Sequence, residues 1–584
     1  GLVVTAAPVA SGSFLVLLAA MSVLPVLQVW LSKLVVDALA SSAGGDPALV
    51  GQVVVLALLY TGALVIPAGL QPLSQVLSAW LEARAVATVD RRLMEGGTRL
   101  VDLYKIEQPK FQDTLRLSHD GALFAPRLFM AVQRLIGVVT LGGLFLLLAR
   151  LHIFLPLMLG ALSIPQLLME RHLQNLRYTA MAKRSRPARE MDYCARMTTE
   201  PAAAKEVRVY GLGDFFLQRF RARFAVALRE VSRIRLRHLR VNSLFTGAYA
   251  LALAAGLWYV AAQAGAGRLT LGDVVLYVGA VTQAQAALRT FSGSVGMLYQ
   301  GLLRLRAIFD FLDSAQPDIA LAPSGQGRPV PAAFDSGIEM QHVGFSYPES
   351  TQPVLTAASA QLPAGKVTAL AGANGAGKST LVKLLTRMYD PGAGTILLDG
   401  VPLHEYDLES LRARIAVAYQ DFAQFALTFR DNIAVGAFAA GEADGRVEQA
   451  ADWAGADAIA TRLPNGYATP LTRRFEGGVE LSGGEWQKVA LARGFVRDAA
   501  LVILDEPTAA LDAEAEYQLF QQFRELVCDK TALIISHRFS TVRMADHILV
   551  LEGGHIVEAG SHNHLVAQGG RYATLYEMQA SRYR

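Results

Sequence analysis

The chain is poor in cysteine and poor in charge. Cys194 and Cys528 are its only two cysteines in 584 residues. They lie far apart and make no metal-ligand spacing, so they read as two reduced structural thiols rather than a zinc site. Charged residues are 18% of the chain and apolar ones 52%, with mean hydropathy +0.31. Soluble proteins are usually more polar. The net charge of +4 is too small to mark a polyanion partner, and no nucleic-acid partner is expected. No cleavable signal peptide is visible. The first apolar run is long enough to span a bilayer and leads into further spans, so it reads as an anchor.

What is present is unevenly distributed. A chain of this length needs two or more domains. Six apolar runs fill the first 300 residues: about Phe14–Leu39, Val50–Trp80, Leu123–Leu148, Ile153–Met169, Leu244–Ala262, and Val274 toward Leu303. Each is long enough to cross a bilayer, with tilt where needed. The connections after the first, third and fifth runs are short and carry few cations, Arg150 and Arg268 among them. The connections after the second and fourth are long and basic. The positive-inside rule then puts the long loops, the N-terminus and the C-terminal half in the cytoplasm of a multi-pass cell-membrane protein. Val226–Leu239 is Arg- and Leu-rich at near-helical spacing, which predicts that spans continue as helices below the membrane. Turn signals place the loop tips at Gln108–Asp113 and Gly211–Phe216. Lys33, Asp37, Arg127 and Arg134 are ionisable groups inside the runs. Lys33 and Asp37, four apart, fit either a helix-face ion pair or a substrate contact.

The second half is organised around Gly372-Ala-Asn374-Gly375-Ala-Gly377-Lys378-Ser379-Thr380. The strand-like Lys366–Ala371 precedes it and the helix-like Leu381–Arg387 follows. Gly372, Gly377, Lys378 and Ser379 have the P-loop spacing in the P-loop setting. Glycines let backbone N–H groups turn inward around phosphate oxygens, and the helix N-terminus adds partial positive charge. Lys378 is placed to reach the β- and γ-phosphates, and the Ser379 hydroxyl to bind Mg²⁺.

Other strand ends carry matching chemistry. Ile415–Ala418 reads as a strand leading to Tyr419-Gln420. Leu501–Leu504 reads as a buried strand ending in Asp505-Glu506. One carboxylate there suits a Mg²⁺ ligand and the next a base that polarises water. Leu533–Ser536 reads as a strand ending at His537. Leu481-Ser482-Gly-Gly484-Glu485 precedes a helix expected over Lys488–Phe495, a second anion-accepting N-terminus. Tyr347, upstream, fits either adenine stacking or plain strand packing.

The ordered set of P-loop, Gln420, Leu481–Glu485, Ile503–Pro507, Ala510-Leu-Asp512 and His537 resembles an ABC ATPase domain. With six spans ahead of it, the chain resembles an exporter-type (type IV) half-transporter. The resemblance implies an all-α polytopic, domain-swapped membrane domain over 1–305, a linker over 306–336, and an α/β P-loop ATPase domain over 337–584. It implies ATP and Mg²⁺ as cofactors. Tyr347 would stack on adenine. Gly372, Asn374, Gly375, Gly377, Lys378, Ser379 and Thr380 would cradle the phosphates. Ser379, Gln420 and Asp505 would hold the metal. Glu506 would be the catalytic base, with Gln420 on the attacking water and His537 on the γ-phosphate. Ser482 and Gly484 would close on the ATP of a second copy, with Asp512 coupling the two sites. The tips near Phe111 and Phe215 would be coupling helices docking in a groove beside Gln420. Both halves of the ATP site are complete, which favours a homodimer over pairing with a paralogous half-transporter. A Glu-rich turn common before the signature is replaced by Arg473–Gly478, with Glu476 as its only acid.

The implied function is ATP-driven export of a peptide, lipid or amphipathic small molecule by alternating access. Alternatives are a non-transporting ATP-gated regulator, an importer on the same scaffold, and a soluble P-loop kinase, which the spans and signature argue against. Phe475–Gln487 and Lys205–Gly213 look similar to exporters of modified peptides such as lantibiotics, with multidrug or lipid export comparably placed. No peptidase domain precedes the spans, so cleavage of a leader in cis is not expected.

Overall fold

The computed structural model describes residues 7–42, 47–122, 137–164, 168, 186–321, 327–348, 350–440, 445–473, 476–507 and 521–580. They divide into two compact units. The first comprises Gly1–Thr98 and Gln112–Ala315, the second Arg99–Phe111 and Gln316–Arg584.

The first unit is all helical. Its helices are α1 (Pro8–Ser42), α2 (Pro47–Arg99), α3 (Pro109–Ala122), α4 (Gly137–Leu151), α5 (Phe154–Ile164), α6 (Arg186–Thr199), α7 (Pro201–Val209), α8 (Gly213–Gly265) and α9 (Leu271–Ser314). Among the described residues, α1, Val50–Arg99 of α2, Arg235–Gly265 of α8 and Leu271–Val295 of α9 are long and apolar enough to cross a membrane. The shorter apolar helices α4 and α5 fall on the third and fourth runs. Other residues of those runs, with Arg127 and Arg134, lie outside the described residues. At 53 residues each, α2 and α8 extend about 80 Å. That is far more than a bilayer needs, as the amphipathic loops predicted.

Packing in this unit joins α1, α4, α5, α8 and α9 through Val29, Leu144, Leu148, Leu159, Val260, Tyr277 and Ala280. Lys33 and Asp37, two of the ionisable groups inside the runs, both bind the start of α9. Lys33 does not pair with Asp37 one turn along its helix; it forms an ion pair with Asp273 at the start of α9. Asp37 accepts the Gly272 N–H at 2.9 Å. Asp273 also closes a capping box with Thr270. A helix start with unsatisfied N–H groups competes better for a carboxylate than a neighbour on the same face does.

Helices hold both Phe111 and Phe215, and the turns sit just ahead of them. Phe111 is buried within the first turn of α3, which starts at Pro109; the turn precedes it, at Asp102–Glu107. Proline fits the first turn of a helix, so Gln108-Pro109 marks a helix start. Phe215 lies inside α8, and the second turn is Tyr210–Leu212, with Gly211 at φ +61°.

The second unit is α/β. An antiparallel sheet, in the order β2-β1-β4-β5, uses β1 (Gly337–Phe345), β2 (Leu355–Pro363), β4 (Ala393–Leu398) and β5 (Val401–Pro402). A six-stranded sheet runs β10-β9-β3-β8-β7-β6. Its members are β3 (Val367–Gly372), β6 (Ile415–Ala418), β7 (Leu501–Asp505), β8 (Thr531–Ile535), β9 (His547–Glu552) and β10 (His555–Gly560). All pair in parallel except β10, at the edge. Every residue of β7 and β8 is buried, as strands covered on both faces require. One core, with Val343, Leu362, Leu370, Leu385, Ile503 and Leu533, joins the two sheets through helix α10 (Lys378–Leu385). A second core gathers α11 (Phe429–Ala434), α12 (Val447–Trp453) and α13 (Gly483–Phe495) around Phe429, Val447, Trp486 and Phe495.

Candidate functional site

Four adjacent parallel strands, β3, β8, β7 and β6, end at one edge of the sheet. Their pairing register places Leu370 beside Ile535, Asp505 beside Ile535, and Ala418 beside Leu504. One edge therefore receives the P-loop after β3, His537 after β8, Asp505-Glu506 at β7, and Gln420 after β6. In parallel α/β sheets, ligands bind outside these carboxyl ends.

The P-loop is a tight turn. Gly377, at φ +107°, is the residue before α10. A Cβ on Gly372 would sit 2.4 Å from the Leu551 carbonyl oxygen, so only glycine fits the end of β3. Asn374 and Gly375 lie exposed on the rim, Gly375 at φ +80°. Lys378 is buried, and its Nζ donates to the carbonyls of Gly372 (3.0 Å) and Ala373 (2.9 Å). Burial pulls its pKa down, opposed by the charges of Glu506 and Asp505. The Thr380 hydroxyl meets the Tyr347 hydroxyl at 3.0 Å. The Tyr347 ring packs edge-on against Phe345 and Tyr389.

The carboxylates divide by environment. Asp505 is buried, and its Oδ1 has no hydrogen-bond partner. Burial pushes its pKa up, opposed by a hydrogen bond from Ser379. A buried unpartnered carboxylate oxygen beside a serine hydroxyl is an all-oxygen donor set, which fits a hard divalent cation such as Mg²⁺. Glu506 adopts φ +50°, a region that strains a non-glycine residue by about 1–3 kcal/mol. Its N–H donates to the Ile535 carbonyl (2.9 Å), which fixes that conformation. One carboxylate oxygen accepts from Gln420 Nε2 at 2.8 Å; the other lies 3.3 Å from His537 Nδ1. The fold thus brings Gln420, Glu506 and His537 together.

Ser482 and Gly484 make their contacts elsewhere, at the start of α13. Ser482 is the residue before the helix, and it forms a capping box with Glu485. Its N–H donates to the Glu485 carboxylate at 2.9 Å and its hydroxyl at 2.8 Å. Arg462 binds the same carboxylate at 2.8 Å. The box starts the helix five residues before the expected Lys488. Ser followed three residues later by Glu was the signal for it. Asp512 lies outside the described residues, as do Arg474 and Phe475 of the turn before the signature; Glu476 is exposed.

Sequence reasoning assigned no role to Gln487. It is buried, and its Nε2 donates to the carbonyls of Pro507 (2.6 Å) and Glu506 (3.4 Å), bracing the backbone around Glu506. The tip near Phe111 was expected to dock in this unit, and Arg99–Phe111 belongs to it, but the residues that hold it were not foreseen. There Glu107 accepts hydrogen bonds from Lys383 (2.9 Å) and the Tyr389 hydroxyl, and the Val101 carbonyl accepts from Arg412 (2.7 Å). Beside Tyr419, a cavity of about 320 Å³ is lined by Arg412, Phe425, Arg493 and Arg497 among others.

Comparison with known proteins agrees with this geometry. Residues 355–509 match the ABC transporter family. A solved bacterial Atm1-family ABC exporter with ATP bound superposes with a TM-score of 0.77 over 97% of this chain and 98% of that one, at 24% identity. The fold is that of an ABC exporter. Two similar curated proteins are ATP-dependent lipid A-core flippases. The one from Xanthomonas axonopodis pv. citri (strain 306) is 36% identical over 376 residues, 64% of this chain and 62% of that protein. The one from Chromohalobacter salexigens is 39% identical over 332 residues, 56% and 55% of the two chains. The chain therefore spans less than two thirds of the length of the curated relatives it matches.

Proposed function

We propose that the protein is an ATP-driven exporter of an amphipathic substrate. The observation that carries this is the Glu506 carboxylate, held between Gln420 and His537 and one residue from the buried, unpartnered oxygen of Asp505. That arrangement suits activation of a water for attack on a phosphate. Glu506 takes the proton of the attacking water, Gln420 orients that water, and His537 donates to the γ-phosphate. Ser379, Asp505 and Gln420 would hold Mg²⁺, which would supply charge neutralisation at the phosphates. The P-loop N–H groups of Gly375–Thr380 and the Lys378 ammonium hold the phosphates, and Tyr347 lies against the base. Gly372 and Asn374 shape the loop.

Ser482 and Gly484 then face the nucleotide of a second copy, with Asp512 between the two sites, so the working unit is a homodimer in the cell membrane. The N-terminus and the ATPase unit are cytoplasmic by the charge asymmetry of the loops. ATP drives closure because it binds the closed pair more tightly than the open one. The flippase relatives and the long apolar helices both favour a lipid-like amphiphile as cargo.

The test is phosphate release by the purified protein in nanodiscs, with peptides, lipids and drugs screened for stimulation, followed by flux in proteoliposomes. ATP-dependent outward movement of a stimulating amphiphile is expected. Turnover without flux of any stimulating compound would leave a regulator instead. Chains that remain single with ATP bound and hydrolysis blocked would remove the mechanism altogether.

A further inference from the structure

Nothing in the motif set accounts for how the His537 backbone is held. His537 lies two residues beyond the end of β8, outside the sheet ladder. Its side chain is half exposed, so packing alone fixes it poorly. The short helix that follows, Phe539–Val542, is preceded by Arg538, whose side chain makes no capping hydrogen bond.

Locally, the Ser536 hydroxyl accepts the Arg538 N–H at 3.0 Å; one distant side chain holds the residues on either side of Arg538. Gln579 Oε1 accepts the Phe539 N–H at 2.8 Å, and Gln579 Nε2 donates to the His537 carbonyl at 3.1 Å. A single planar amide thus brackets His537-Arg538-Phe539 as a paired strand would. Gln579 is itself anchored. It lies on the helix Arg571–Ala580, on the same face as Tyr572 and Tyr576. Both tyrosines pack edge-on against Phe539, with ring centroids 5.4 and 5.8 Å away. The Tyr572 hydroxyl meets His562 Nδ1 at 2.8 Å. The start of the helix is tied to β10: Glu558 accepts the N–H groups of Arg571 and Tyr572. The chain runs so close there that a Cβ on Gly570 would sit 2.1 Å from Glu558 Oε1.

We propose that Gln579 is a positioning residue for ATP hydrolysis: its amide clamps the backbone on both sides of His537 and holds the imidazole against Glu506. This rests on the role given to His537 above. The clamp makes the last helix part of the hydrolytic apparatus, although it contributes no atom to the nucleotide site.

The test uses the full chain in nanodiscs and two variants, with steady-state ATP turnover and amide hydrogen exchange as separate readouts. Gln579→Met keeps the size and removes both hydrogen bonds. It is expected to lower kcat about tenfold, with KM for ATP within about twofold, and to speed exchange of the peptide carrying the Phe539 amide about tenfold. Gln579→Glu keeps an acceptor for the Phe539 N–H and sets a second oxygen against the His537 carbonyl. It is expected to keep the exchange protection and still lose turnover. Wild-type turnover in either variant overturns the proposal, as does unchanged exchange in Gln579→Met or a KM that rises as far as kcat falls. Should the wild-type chain hydrolyse no ATP, the role given to His537 fails, while faster exchange in Gln579→Met still establishes the clamp.

Discussion

The two units bury polar groups for different ends. In the α/β unit, polar side chains converge from the ends of four strands onto one small volume, and Asp505 Oδ1 is left without a protein partner. In the helical unit, a set of polar contacts ties one helix to another. Lys33 pairs with Asp273, Asp37 with the Gly272 N–H, Gln28 with the Ala63 carbonyl (2.8 Å), and Thr140 with the Ser22 carbonyl (2.6 Å). In hydrocarbon no water can satisfy a broken contact, so such bonds fix the register between helices. Mutations should separate the two uses.

The largest separation is expected at Glu506. Glu506→Gln keeps the shape and the Gln420 contact but removes the base. Phosphate release should fall by a factor of roughly 10²–10⁴, the range of general-base catalysis, with ATP binding and thermal stability retained. A stability loss comparable to that of a helix-register mutant would erase the contrast.

Lys33→Met tests the other side. It leaves the buried Asp273 carboxylate without its ammonium partner, which should cost about 2–3 kcal/mol. Thermal unfolding in nanodiscs should report this, and Lys33→Met/Asp273→Asn should recover most of it. If the single variant instead keeps its melting temperature and loses only substrate-stimulated turnover, the pair belongs to the cargo path.

Gly256→Ala is a milder probe of the same register. An added Cβ would lie 2.2 Å from the Tyr277 hydroxyl, which donates to the Leu253 carbonyl at 3.1 Å. The ring must move, and a loss of about 1–2 kcal/mol is expected in the same unfolding assay. Unchanged stability would mean that α8 and α9 repack without strain.

How much of this was legible in the sequence follows from how local each feature is. The P-loop, the Asp505-Glu506 pair and the buried strands are written in consecutive residues, because strand period, glycine freedom and charge act over a few positions. The helical runs were legible from length and hydropathy. Lys33 and Asp37 were visible as charges, yet their partners lie more than 200 residues away, and neither the local ion pair nor the substrate contact that the spacing allowed named them. Gln487, Gln579 and Glu107 are common polar residues whose meaning exists only once distant strands and helices meet. The capping box at Ser482–Glu485 was local and legible, and the start of α13 was misplaced by passing over it.

The smallest effect lies where Arg99–Phe111 joins the ATPase fold. Glu107 is partly buried, which raises its pKa, but hydrogen bonds from Tyr389 and Lys383 outweigh that and hold it below the usual glutamate range. The folded carboxylate thus binds a proton more weakly than the unfolded one does. Its contribution is present above the unfolded pKa, near 4.3, and is lost as pH falls through the lower folded value. Because the side chain is 41% exposed, solvent screening limits that contribution to well under 1 kcal/mol. Glu107→Gln should therefore speed hydrogen exchange across residues 99–111 by at most a few fold at neutral pH, and the difference from wild type should vanish on acidification below about pH 4. A difference that persists at low pH would assign the docking to packing around Tyr389 rather than to charge. The partly exposed pairs of this unit would then fix position by shape, as the apolar helix contacts of the other unit do.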